Sequence, residues 1–142
     1  MELVNALNAY QYVLKTLKKK EGYCWNNIIG INKDEHGSPR YYIIIGDSGS
    51  DNLFIKFSRE PFTSGEGGFR ESINSEGGIK ECFKDNVKRL FWVYPDGKIY
   101  WIKLNDPDSE RGFMNLAERR ITNNENKEIF TITLKNLKRY NV

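Results

Sequence analysis

The sequence predicts an α+β fold, a mainly antiparallel sheet of five to six strands with an N-terminal amphipathic helix packed on one face. Three observations carry that expectation. Apolar residues near the N-terminus repeat with a helical period, β-branched and aromatic residues dominate the short runs that follow, and turn-forming residues separate those runs. The length of 142 residues fits a single domain, spanning 1–142, with one core.

The helix comes first. Leu3, Leu7, Tyr10, Leu14 and Leu17 recur at spacings of 4, 3, 4 and 3, one stripe of an amphipathic helix, and Gly22 supplies its stop. Tyr23 to Ile31 reads as a strand, 32–39 as a turn, Arg40 to Gly46 and Asn52 to Ser58 as the arms of a hairpin. Closure about Gly49 sets Ile45 against Leu53, Ile43 against Ile55 and Tyr42 against Lys56. Residues 61–78, with five glycines, read as a long loop, and Ile79 to Val87 as a short helix burying Ile79, Cys82, Phe83 and Val87. Pro95-Asp96-Gly97 is the clearest hairpin signal, between Leu90–Tyr94 and Lys98–Leu104, both apolar enough for the middle of a sheet. Asp106-Pro107-Asp108 offers a helix start before Phe113, Leu116 and Ala117, and Phe130, Ile132 and Leu134 alternate as a last strand.

Composition excludes several classes. At 39% hydrophobic the chain is too apolar for a disordered protein, and no apolar run reaches the 18 residues of a membrane span. The opening residues turn basic only at Lys15, the reverse of a secretory signal, so a cytoplasmic location is expected. Cys24, Cys82 and the one His cannot assemble a zinc site of standard spacing. His36 lies in a polar turn without a nucleophile motif, and Gly65-Glu66-Gly67-Gly68 lacks the Lys-Ser/Thr ending of a nucleotide-phosphate loop.

Charge placement is more informative than the total of +3. Lys15, Lys18, Lys19 and Lys20 against Glu2 make residues 1–20 about +3, and Lys135, Lys138 and Arg139 do the same for residues 135–142, leaving the middle at −3. Two basic ends on one face attract phosphate; the alternative is that terminal lysines simply solvate the ends of the domain. Aromatic residues, 13% of the chain, suit base stacking or a protein interface equally, with Tyr12, Tyr23, Tyr42, Tyr100 and Tyr140 the candidates to reach a surface.

One carboxylate cluster remains. Asp47, Asp51, Lys56 and Glu60 lie on or beside one hairpin, where Asp47 and Asp51 would supply oxygen ligands to Mg²⁺ and Lys56 would face a phosphate; the alternative is an ordinary polar turn. The order of elements, with Leu53-Phe54-Ile55-Lys56-Phe57-Ser58-Arg59 and the late hairpin 87–104, resembles the PD-(D/E)XK endonuclease fold, particularly its small homing-endonuclease-like members. Lys56 matches the lysine of that family's motif. Phe54, however, stands where the family carries a metal-binding acid or amide, and Tyr42 stands opposite Lys56 where aspartate is expected.

The resemblance thus implies a nucleic-acid-binding domain rather than a cutting one. Lys18, Lys19, Lys20, Lys56, Arg59, Lys138 and Arg139 would contact phosphates, and cleavage would run only through a displaced site of Asp47, Asp51 and Lys56. No cofactor is expected, Mg²⁺ entering only with a nuclease. The alternative function is a small protein-binding or inhibitor module of the kind phages and mobile elements carry, without enzymatic activity.

Overall fold

The computed structural model of the chain describes residues 2–58, 68–72, 79–121 and 128–142. The N-terminal helix α1 (Ala6–Glu21) begins where the Asn5 side chain accepts from the Asn8 amide and ends at Gly22, whose φ of 70° lets its amide close on the carbonyls of Leu17 and Lys18. Among the described residues nine strands and two further α-helices follow, with one 3-10 turn (Leu134–Asn136) before the last strand: β1 (Trp25–Lys33), β2 (Pro39–Gly46), β3 (Asn52–Phe57), β4 (Gly68–Ser72), α2 (Ile79–Lys84), β5 (Val87–Val93), β6 (Ile99–Lys103), α3 (Phe113–Leu116), β7 (Glu118–Ile121), β8 (Glu128–Thr133) and β9 (Lys138–Tyr140). Six of the strands form one sheet in the order β1-β2-β3-β5-β6-β9, and β4-β8-β7 form a second. The expected α+β class, with the first helix packed on a mainly antiparallel sheet, is what the chain adopts.

Two layers of side chains sandwich the main sheet. On one face α1 lays Ala9, Val13, Leu14 and Leu17 over Ile44, Leu53, Ile55, Phe91 and Val93. On the other, Ile43, Phe54, Leu90 and Trp92 meet Cys82 of α2, Phe113 of α3, and Phe130 and Ile132 of the small sheet. β5 is therefore covered on both sides from Leu90 to Val93, which is why that stretch is a continuous apolar run instead of an alternating one. Its pairing with β3 is the parallel step in the sheet, reached by the crossover through α2.

Several sequence expectations need correction. The helix stripe is buried at Leu3, Leu14 and Leu17, with Tyr10 packed against it, but Leu7 is 44% exposed, and Ala9 and Val13, outside the expected stripe, are fully buried. The hairpin register is shifted by one residue, so that Ile43 faces Phe54, Ile44 faces Leu53, Tyr42 faces Ile55, and Lys56 faces Tyr41 rather than Tyr42. The hairpin is thus centred between Ser48 and Gly49, and at its mouth the Asn52 side chain accepts from the Gly46 amide and donates to the Asp85 carbonyl. Within the expected loop 61–78, residues 68–72 are β4, the remainder lying outside the described residues. The short helix stops at Lys84, leaving Phe83 exposed and Val87 to open β5. The helix after Asp106 is only Phe113–Leu116, capped by Gly112. The last expected strand joins the small sheet as β8, and β9, unforeseen, closes the edge of the large one.

Candidate functional site

Arg89 stands at the start of β5, where its side chain leaves the sheet beneath the end of α1 and is 10% exposed. Its Nε and Nη2 donate to Asp51 Oδ1 and Oδ2 at 3.2 and 2.6 Å, a bidentate fork, and Nη1 donates to Glu21 Oε2 at 3.1 Å. The guanidinium also lies against the rings of Phe91 and Trp101, with centroids 5.3 and 5.6 Å away. Tyr140 Oη donates to the same Glu21 oxygen at 2.6 Å, while Tyr23 Oη donates to the Asp51 carbonyl at 3.1 Å. One buried cation thus ties together the end of α1, the β2–β3 loop, β5 and β9.

The titration behaviour follows from this geometry. Partial burial by itself would raise the Glu21 carboxyl, but the hydrogen bonds from Tyr140 and Arg89, and the charge on Arg89, hold it below its usual range. Burial opposes the charge on Arg89, and its bonds to Asp51 and Glu21 more than offset that, raising its pKa. Burial and then the Glu21 carboxylate push the Tyr140 phenol up, and burial with the Asp51 charge does the same to Tyr23. Both phenols stay neutral donors.

The Tyr140–Glu21 hydrogen bond spans 119 residues and brings the two basic ends together. Lys18, Lys19 and Lys20, all exposed, form the last turn of α1 immediately before Glu21, where cations suit the helix dipole. Lys138 and Arg139 immediately precede Tyr140 on the edge strand β9. Strand alternation divides that pair between faces. Lys138 Nζ lies 5.2 Å over the ring of Trp101, which packs on the α1 side, whereas Arg139 lies 5.5 Å over Tyr100, which packs on the other. Lys103, paired directly with Arg89, extends the α1-side surface. Arg89, Trp101, Lys103 and the clasp they border are the candidate residues sequence reasoning passed over. Arg89-Leu90-Phe91 and Tyr100-Trp101-Ile102-Lys103 do show cations two residues from aromatics, the spacing that shares a strand face.

The remaining expected residues are not gathered. Asp51 is committed to Arg89, and Asp47 is exposed with its amide bonded to the Cys24 carbonyl. Lys56 sits at the far end of β3, about 16 Å from Asp51 at ~3.3 Å per extended residue. Its Nζ lies 5.0 Å over Tyr41, in an open groove of about 750 Å³ that includes His36 and Arg40. Asp47, Asp51 and Lys56 therefore do not converge, and among the described residues no group of three or more His, Cys, Asp or Glu is placed to hold a metal ion. Arg59 and Glu60 lie outside the described residues. Of the tyrosines expected at a surface, Tyr12, Tyr100 and Tyr140 are half-buried, while Tyr23 and Tyr42 are buried. Among the described residues no helix is long and apolar enough to cross a membrane. The chain matches no protein-family model, no curated protein sequence and no solved structure.

Proposed function

We propose that the chain binds nucleic acid without cutting it, along the α1-side surface of Lys18, Lys19, Lys20, Lys138, Lys103 and Trp101. The observation that carries this reading is the Tyr140–Glu21 hydrogen bond, because it sets the end of α1, with Lys18, Lys19 and Lys20, beside the edge strand that carries Lys138 over the part-buried indole of Trp101. Phosphates neutralised by lysines release counterions, and the part-buried indole of Trp101, with Lys138 over its ring, offers a base a contact once that lysine turns to a phosphate, so a single strand fits the combination better than a duplex. The PD-(D/E)XK resemblance supports an association with nucleic acid. The separation of Asp51 from Lys56 favours binding over cleavage.

Fluorescence anisotropy with a labelled single-stranded oligonucleotide, titrated at several salt concentrations, tests the reading. With roughly four phosphates neutralised, the log–log salt slope is expected near −3, about fifty-fold weaker binding at 200 than at 50 mM salt. The double change Lys18→Glu and Lys138→Glu should abolish binding with the fold retained. Binding that ignores salt, or an absence of binding, would favour the protein-binding alternative. Shortened strands in Mg²⁺ would return the nuclease.

A further inference from the structure

The two edges of the main sheet differ in kind. β9 is three residues long and carries exposed Lys138 and Arg139, the usual protection of an edge against pairing with another chain. Among the described residues β1 is the longest strand, at nine residues, and it has no charged residue from Trp25 to Asn32. Among the described residues it pairs with β2 alone. The Asp34 amide donates to the Ser38 carbonyl at 2.9 Å, so alternation along the antiparallel ladder turns the N–H and C=O groups of Lys33, Ile31 and Ile29 away from β2 and off the sheet. At the other end the bulge between Trp25 and Asn27 interrupts the row. The open stretch is Ile29–Lys33. Ile29 is 36% exposed on the face where its cross-strand neighbour Ile43 is fully buried.

We infer that β1 is the interface with a second copy of this chain, joined antiparallel about a two-fold axis at Gly30. In that register Ile29 of one copy exchanges backbone hydrogen bonds with Ile31 of the other, and the reverse, giving two isoleucine pairs on one face. Lys33 falls opposite Asn27, so no like charges meet. Gly30 meets Gly30 where the absence of side chains permits close approach. A second copy fits because the strand is its own complement: apolar residues lie opposite apolar ones and the cation lies opposite an amide. The same operation about the middle of β9 would set Arg139 against Arg139 of the copy, two like charges face to face.

Sedimentation velocity over a wide concentration series tests this on the full chain. The expected result is a monomer–dimer equilibrium that Ile29→Lys weakens at least tenfold with an unchanged circular-dichroism spectrum. Amide hydrogen exchange on the unaltered chain is an independent readout: the Ile29 and Ile31 amides should slow as concentration rises, and those of Lys138 to Tyr140 should not. A monomer at every concentration overturns the inference. So does a dimer that Ile29→Lys leaves intact and whose β1 amides exchange independently of concentration. Neither result bears on oligonucleotide binding, which uses the opposite end of the sheet.

Discussion

Arg89 is held by two carboxylates from elements far apart in the chain, so its removal leaves two negative charges facing each other without a cation. Truncating one partner of a buried ion pair costs 3–5 kcal/mol, and because Glu21 and Asp51 are each about a third exposed the lower end applies: Arg89→Ala should destabilise by about 3 kcal/mol in urea unfolding. Glu21 adds a pH dependence of definite sign. Its folded pKa lies below the ordinary value of 4.5, so its contribution is complete above that value and is lost as pH falls through the depressed one. Stability curves should therefore fall in acid for the native chain and less steeply for Glu21→Gln, which lacks the titrating group. Little of this clasp was legible in the sequence. Glu21, Asp51, Arg89 and Tyr140 are separated by 30 residues or more, and charged residues at such spacings carry no periodicity to reveal that they meet.

At the scale of elements, local signals were read well and long-range ones poorly. Gly22 as the stop of α1 and Pro95-Asp96-Gly97 as a hairpin turn were legible because backbone conformation decides them locally: φ is 70° at Gly22 and 89° at Gly97. Gly22 has open space around a hypothetical Cβ, so Gly22→Ala should cost about 1 kcal/mol through backbone strain alone, measurable as a lowered melting temperature. The hairpin register was missed because turn composition does not disclose that the loop is centred between Ser48 and Gly49. The face of α1 was read correctly except at Leu7, where Leu was weighted over Ala. Ala9 is small enough to bring the helix backbone close to the sheet, so the alanine is buried and Leu7 swings outward. β9 escaped notice since three residues, two of them charged, lack any strand pattern.

For the whole molecule, the sheet is assembled from distant segments. β3 pairs with β5 across the crossover, and β6 waits for β9 some 35 residues later. Such topology folds slowly because loop-closure entropy precedes the contacts that offset it, and stopped-flow refolding is expected in milliseconds to seconds, not microseconds. The clasp between Tyr140 and Glu21 carries this delay into synthesis. A chain lengthens at roughly 5–20 residues per second, so Glu21 precedes the hydroxyl that binds it by about 6–24 s. During that interval α1 can settle on β2 and β3, but its last turn has no anchor on the far edge, and the two groups of cations remain apart. On the proposed reading, a nascent or truncated chain ending before Tyr140 would have its helix and yet no assembled surface for a nucleic acid to hold.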